Sequence, residues 1–214
     1  MSDRPKPIPY YLMGQIRRGI IAGRYPPGGP LREQMLEQEF GVSRGPIREA
    51  LRLLELRGLA THEPRRGFRV REYSAETVLQ IYGLRALLER RSIEALGGRP
   101  LEGLIAKLRA ANACMAERYA EGDIEAYLNE NVSFHDLILA ATGDEPLQRV
   151  IAVLNEMAQP IRFAFLSRDP TKSRAVAEHA QIIALIEDGD IAAAAAAMEA
   201  HVMRNVSAVA RLFG

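Results

Sequence analysis

The stretch that most constrains the fold of this chain is residues 41–54, GVSRGPIREALRLL, which has the pattern of a turn followed by an amphipathic helix. Ser43 is a favourable N-cap residue, because its hydroxyl can accept a hydrogen bond from a free backbone N–H of the first turn. Apolar residues then recur at i, i+3, i+4 and i+7 and predict one buried face, made of Ile47, Ala50, Leu51 and Leu54. We therefore expect a helix from Arg44 to about Arg57.

The same helix carries a second stripe, because Arg44, Arg48 and Arg52 recur every four residues. Arginine can pair with guanine in the major groove of DNA or clamp a phosphate, so the stripe is typical of a recognition helix. An amphipathic surface helix with a solvated charged face would give the same pattern. The helix alone leaves both interpretations open.

The distribution of charge favours DNA. Residues 1–72 hold 14 Lys and Arg against 8 Asp and Glu, a net charge of +6, whereas residues 73–214 hold 14 against 19, a net charge of −5. A basic first third on an acidic remainder predicts that the first segment meets a polyanion.

The one cysteine, Cys114, excludes an internal disulfide. Without a long apolar run or a signal peptide, we expect a cytoplasmic protein.

The surroundings of the arginine helix indicate a winged helix-turn-helix over residues 1–72. Two helices are predicted before it, at 10–22 and 31–40, and Gly41 makes the tight turn. After Gly58 the sequence alternates in short runs, which predicts a two-stranded hairpin with a basic tip. Arg65 and Arg66 at that tip can reach a minor groove or its phosphates, and Gly67 allows close backbone approach.

Residues 73–214 predict an all-α domain, so the chain as a whole is mainly α. Glycine, aspartate and proline turns separate six helical spans, and helices of these lengths can form an antiparallel bundle of six or seven helices. Asp169 and Pro170 cap the start of the fifth helix. The predicted spans are 75–97, 101–121, 124–141, 146–167, 171–188 and 191–212.

Three of the four histidines, His135, His179 and His201, fall on three different predicted helices of this bundle, whereas His62 lies in the hairpin. Asn131 precedes His135 by one turn, so both project from the same helix face. Three imidazoles and one side-chain oxygen that converge would form a divalent-metal site. Equally, each histidine could be separately hydrogen-bonded or exposed, and the spacing does not decide.

Residues 25–70, YPPGGPLREQMLEQEFGVSRGPIREALRLLELRGLATHEPRRGFRV, resemble the DNA-binding domain of GntR-type bacterial transcription regulators. The resemblance implies that Arg44 and Arg48 contact the operator and that Gly67 lies in the minor groove. Ser43 and Gly45 fall at positions that often meet phosphates or base edges. Gln34 stands where many members carry a DNA-contacting arginine, so affinity or operator sequence is expected to differ.

Residues 75–212 are similar to the FCD ligand-sensing domain of the FadR subfamily. The matching segments are YGLRALLE from Tyr82, NVSFHDLIL from Asn131, EHAQIIALIEDGD from Glu178 and AMEAHV from Ala197. The resemblance implies a metal held by Asn131, His135, His179 and His201. Three imidazoles suit Zn²⁺ or Ni²⁺.

The same resemblance implies that the bundle senses a small organic acid. Arg85 could pair with a carboxylate of that acid, or with Glu89 at i+4. Asn155 and Arg162 on the fourth bundle helix are further candidates for the effector pocket. The aromatic residues Tyr82, Phe134, Phe163 and Phe165 are interpreted as core.

Together these features predict a homodimeric, ligand-responsive transcription regulator, expected to be a repressor, that binds a pseudopalindromic operator in double-stranded DNA. We expect no enzyme activity, because no general base is evident and Glu178, adjacent to His179, is expected to point away from the ligand. Two alternatives remain: a metal-dependent enzyme with a DNA-binding appendage, and a regulator whose metal is purely structural.

Overall fold

The computed structural model describes residues 7–167, 174–204 and 206–213. The chain divides into two compact units, residues 1–73 and 74–214. Each unit has a hydrophobic core of its own and is described by itself.

The first unit is a winged helix-turn-helix, as the sequence predicts. The apolar stripe of its third helix is completely buried, which ties that helix to the other two. The three strands form one antiparallel sheet in the order β1-β3-β2. The elements are α1 (Ile8–Ile21), β1 (Pro30–Leu31), α2 (Glu33–Phe40), α3 (Arg44–Leu56), β2 (Ala60–Glu63) and β3 (Gly67–Val70).

Two local predictions in this unit are wrong. Leu31 was expected in the second helix, but it pairs with Phe68 as part of β1, so α2 begins two residues later. A two-residue strand is too short to leave a periodic signal in the sequence. Ser43 is the N-cap residue of α3 but makes no side-chain capping hydrogen bond.

The second unit is all-helical. Its helices are α4 (Ala75–Glu94), α5 (Glu102–Ala120), α6 (Ile124–Ala141), α7 (Glu145–Leu166), α8 (Ala175–Glu187), α9 (Ile191–Met203) and α10 (Val206–Ala210). The predicted final helix is therefore two helices, α9 and α10. Asp169 and Pro170, expected to cap the fifth helix, lie outside the described residues. None of the described helices is long and apolar enough to cross a membrane.

Short turns make consecutive helices of this unit neighbours. Three residues separate α5 from α6, α6 from α7, and α8 from α9, and each of these pairs packs together as an antiparallel pair. Helix α4 packs against α6, α7, α9 and α10. This central position explains why α4 carries both apolar residues and buried charged residues, Arg85 and Glu89.

Candidate functional site

Three histidines converge inside the helical unit. His135 on α6, His179 on α8 and His201 on α9 each offer a ring nitrogen, and these atoms all lie within 4.8 Å of one another. The Nε2 atoms of His179 and His201 are 3.2 Å apart. The fold therefore brings together three side chains that are far apart in the sequence.

Two carboxylates set the orientation of the histidine rings. Glu89 Oε2 lies 3.0 Å from His135 Nδ1, and Glu178 Oε2 lies 2.7 Å from His201 Nδ1. Because an ionised carboxylate only accepts hydrogen bonds, each Nδ1 carries the hydrogen, and Nε2 is the nitrogen of each ring that is left to ligate a metal. The third ring, His179, stacks on Phe134 with centroids 3.7 Å apart and planes 5° from parallel.

Burial keeps two of these imidazoles neutral. Loss of hydration lowers the pKa of His179 well below its usual value, and it also lowers that of His135. Burial opposes ionisation of Glu89 as well, but its hydrogen bond with the His135 imidazole and the nearby Arg85 guanidinium outweigh this and lower the pKa of Glu89. The cluster thus pairs neutral imidazoles with an ionised carboxylate.

The residues present fit a transition-metal ion. Neutral imidazole is the form that ligates a metal, and two of the three rings have the carboxylate partner that typically fixes a ligating histidine. Two nitrogens bound at about 2.1 Å to one ion lie roughly 3.0–3.4 Å apart, and the His179–His201 separation of 3.2 Å falls in that range. His179 Nδ1 is buried and has no hydrogen-bond partner among the described residues, so no protein group competes for this nitrogen.

A cavity with an empty volume of about 640 Å³, part of it open to solvent, adjoins this cluster. Its lining includes the ligand candidates His135 and His201, the predicted residues Arg85, Asn131 and Arg162, and also Tyr82, Tyr127, Phe165, Arg174 and Glu178. Three arginine side chains line the cavity together with two imidazoles and one carboxylate, that of Glu178. This arrangement suits an anionic ligand more than a cationic one.

Arg85 forms the ion pair with Glu89 that its i+4 spacing in the sequence offered as one alternative. Its Nη2 lies 3.4 Å from Glu89 Oε1, and its Nε donates to Asn155 Oδ1 at 2.8 Å. Asn155 is buried and holds Arg85 from α7. Arg85 and Asn155 therefore form one buried network with Glu89 and His135.

Arg162 is less completely satisfied. Its Nη1 donates to Asn131 Oδ1 at 3.0 Å, but Nε and Nη2 are buried and have no hydrogen-bond partner among the described residues. The Tyr82 hydroxyl is also buried without a partner. Burial and the nearby Arg85 charge lower the pKa of Arg162 to about 10, which leaves the guanidinium protonated at neutral pH.

Sequence reasoning missed the two carboxylates that hold the histidines. Glu89 was considered only as the i+4 partner of Arg85, although it also contacts His135. The expectation that Glu178 points away is wrong, because Glu178 lines the cavity and contacts His201. The available signal was that Glu178 directly precedes His179. The periodicity of α8 does not reveal that His201 on α9 lies next to Glu178.

The candidate DNA-contacting residues of the first unit lie at the start of α3 and on α2. Ser43, Arg44, Gly45 and Arg48 are exposed, as is Gln34. Glu33 Oε1 and Oε2 accept from Arg48 Nε and Nη2 at 2.9 and 3.2 Å. Arg44 Nε lies 3.2 Å from Glu33 Oε2 and 3.0 Å from Glu37 Oε1. The carboxylates of α2 thus hold both arginines.

The turn between β2 and β3 carries the other candidates. Arg65 and Arg66 are exposed, and Arg66 lies 3.5 Å from Glu63. Arg65 has a φ of 67° and Gly67 a φ of 78°. A left-handed backbone at a non-glycine residue is uncommon, and at this tight turn it leaves both arginine side chains in solvent.

A winged helix-turn-helix joined to a helical unit with a polar cavity defines the class of ligand-responsive, DNA-binding transcription regulators. The family comparisons agree: the description "Bacterial regulatory proteins, gntR family" matches residues 12–70, and "FCD domain" matches residues 80–204. The chain belongs to the GntR family of bacterial transcription regulators, in the group with a C-terminal FCD domain.

Individual relatives support this assignment. The chain is 29% identical over 202 residues to the uncharacterized HTH-type transcriptional regulator YdhC of Bacillus subtilis, covering 92% of this chain and 89% of that one. It is 26% identical to the HTH-type transcriptional repressor GlaR of Escherichia coli, with 89% and 90% covered. Among solved structures, E. coli McbR/YncC has the same fold, with a TM-score of 0.83 at 19% identity over 97% of this chain and 99% of the other.

Proposed function

We propose that this regulator represses transcription by binding a pseudopalindromic operator as a homodimer. Arg44 and Arg48 read or clamp the major groove, with Ser43, Gly45 and Gln34 beside them. Arg65, Arg66 and Gly67 approach the adjacent minor groove. The exposure of Arg44 and Arg48 on α3, of Gln34 on α2, and of Arg65 and Arg66 at the hairpin turn supports this assignment. Relatives named as repressors, such as GlaR, support the direction of regulation.

The exposed apolar surface of α4 and α7 supports dimerisation. Leu79, Leu84 and Leu87 on α4 are 44%, 53% and 59% exposed, and Val150 and Val153 on the adjacent α7 are 54% and 41% exposed. Large exposed apolar side chains on two helices that pack together are typical of a surface that a partner covers. We assign this face to a second copy of the chain, because a two-fold operator requires two copies.

The helical unit is proposed to sense a small organic acid beside a divalent metal, Zn²⁺ or Ni²⁺. His135, His179 and His201 would hold the ion, and a bound ion would offer open coordination positions to an acid's oxygens. The single observation that carries the acid assignment is Arg162, which lines the same cavity and has two buried nitrogens without a hydrogen-bond partner in the described part of the chain. A buried guanidinium with two unpaired donors favours binding of a carboxylate. Arg85 lines the same cavity, and Asn155 holds it by accepting a hydrogen bond from its Nε.

We propose that the site is a sensor and not an enzyme. The carboxylate best placed to act as a base is Glu178, and both its oxygens are engaged: Oε2 with His201 Nδ1 at 2.7 Å, and Oε1 with Arg204 Nε at 2.6 Å. A carboxylate held in this way accepts a proton from a substrate poorly. The remaining alternative is a structural metal, in which case chelation would unfold the helical unit and an acid would bind equally well without metal.

The decisive experiment is elemental analysis before and after chelation, combined with thermal melts against acetate, succinate and citrate. Stoichiometric metal with an acid-dependent increase in melting temperature only in the metal-loaded protein supports the sensor. Binding of an acid with equal affinity to both forms contradicts metal participation. Turnover of an acid by the metal-loaded protein contradicts the non-enzymatic assignment.

A further inference from the structure

We propose that Asn131 positions Arg162 for an anionic ligand and is not a ligand of the metal. This inference rests on the proposed acid-binding function of the cavity. It concerns the residue that the sequence places beside the three histidines as a fourth ligand. The observation behind it is the hydrogen bond from Arg162 Nη1 to Asn131 Oδ1, at 3.0 Å, inside the helical unit.

The amide oxygen is already committed to a cation. Asn131 is only 6% exposed, and its Nδ2 faces Met115 Sδ at 4.0 Å, so Oδ1 is the atom that meets the guanidinium. If the same oxygen also ligated a dication, the ion and the guanidinium would lie a few ångströms apart. A neutral amide carries no net charge to offset that repulsion, which is strong in a poorly hydrated cavity. A carboxylate at this position could serve both cations, but an amide cannot.

The neutrality of Asn131 has a positive consequence for Arg162. A carboxylate would pair with the guanidinium and cancel its charge, whereas the amide orients the side chain and leaves the charge in place. The Nε and Nη2 atoms of Arg162 are buried and have no partner among the described residues, so two donors remain for a ligand. The unpartnered Tyr82 hydroxyl lines the same cavity. These donors match the two oxygens of one carboxylate group.

The assignment therefore separates two roles within one cavity. The three imidazole nitrogens, all within 4.8 Å of one another, form the metal-binding face. Asn131 and Arg162 form the anion-binding face, because Asn131 contributes a neutral amide and two guanidinium nitrogens of Arg162 have no hydrogen-bond partner among the described residues. A small carboxylic acid would lie between the two faces.

The test compares metal affinity with anion affinity in the full-length protein. Zn²⁺ is titrated into chelator-treated wild type, Asn131→Ala, Asn131→Asp and Asn129→Ala, and acetate, succinate and citrate are then titrated into each metal-free and metal-loaded form. Asn129 lies on the exposed side of the same helix, so its variant controls for a change in α6. Thermal melts establish that each variant is folded.

We expect Asn131→Ala to bind Zn²⁺ as wild type does but to bind the acids about tenfold more weakly, since a charged hydrogen bond that orients the guanidinium is lost. Asn131→Asp should also weaken acid binding by at least that factor, because the new carboxylate pairs with Arg162. A tenfold loss of Zn²⁺ affinity in Asn131→Ala would overturn the proposal. So would wild-type acid affinity in both Asn131 variants, or a wild type that binds none of the acids. If the wild type binds no Zn²⁺, the proposed metal site is contradicted. The role of Asn131 is then decided by the acid affinities of the metal-free wild type and Asn131 variants.

Discussion

Individual side chains in this protein are held by partners that restrict their chemistry. Glu89 and Glu178 each contact the Nδ1 of a histidine, which leaves the Nε2 atoms as ligands. Glu33 holds Arg48 through two hydrogen bonds. In both units a carboxylate orients the residue that is proposed to bind metal or DNA. Replacing that binding residue tests its role more directly than replacing the carboxylate.

At Arg48, replacement by alanine should weaken operator binding by at least tenfold, because an arginine contact to a base contributes about 1–3 kcal/mol. The fold should persist, since the side chain is exposed and its ion pair with Glu33 contributes little to stability. Binding is measured by fluorescence anisotropy on operator DNA, and Arg18→Ala, at an exposed arginine on α1, is the control. Unchanged affinity in Arg48→Ala would contradict the assignment of α3.

At His179, replacement by alanine should remove the metal, because two imidazoles hold a divalent ion much less tightly than three. Metal content is measured by elemental analysis after dialysis. His62→Ala, which changes a histidine on β2 outside the cluster, should keep its metal. Equal metal content in the two variants would refute the three-histidine site.

Acidification should destabilise the metal-free helical unit. Burial lowers the pKa of His135 and His179 in the folded state, so between those values and about 6.5 the unfolded chain binds more protons than the folded one. The free energy of unfolding should therefore fall as the pH drops from about 7.5 to about 5.5. Urea melts in chelator measure it, and His179→Ala should show a weaker dependence. A pH-independent wild type would contradict the buried, neutral state of these rings.

Among the secondary-structure elements, those with strong periodicity were predictable and those without it were not. The apolar stripe of α3 and the turns around α5, α6 and α7 are visible in the sequence. Strand β1 has two residues and forms only because Leu31 meets Phe68 across the sheet. The split between α9 and α10 falls within one continuous apolar pattern. At the site, the family resemblance implied the three histidines where spacing alone left them open, but the contacts of Glu178 and Asn131 depend on which helices pack together.

Helix α4 is the element on which dimerisation is proposed to depend. Leu84→Glu places a charge on its exposed apolar face, so it should raise the dimer dissociation constant by at least tenfold without unfolding the chain, since Leu84 is 53% exposed. Sedimentation equilibrium measures it. Leu56→Glu, at a leucine that is 77% exposed on α3, serves as the control and should leave the oligomeric state unchanged. A dimer unaffected by Leu84→Glu would place the interface elsewhere.

In the molecule as a whole, sensing and DNA binding belong to two units with separate cores. An effector can change operator affinity only to the extent that it binds one state of the regulator more tightly than the other. The reciprocal effect must hold, so operator DNA should change the affinity for the acid by the same factor. This linkage distinguishes a regulator from a protein that merely carries a metal-binding helical unit.

Arg162→Gln should uncouple the two units functionally. The guanidinium is lost while the metal ligands remain, so an acid that releases wild-type protein from its operator should no longer do so. Anisotropy titrations with citrate at fixed metal content measure the release. Citrate-dependent release that survives in Arg162→Gln would show that the acid acts from another site.

The carboxylate of Glu33 between Arg48 and Arg44 serves the free protein as a built-in counterion. When these arginines meet random chromosomal DNA, a backbone phosphate must displace the Glu33 carboxylate before it can pair with them. A bacterial genome presents about a million competing sites, and a regulator that adheres weakly to all of them spends less time on each. We expect the acidic face of α2 to shorten the search for the operator, at some cost in the final strength of binding.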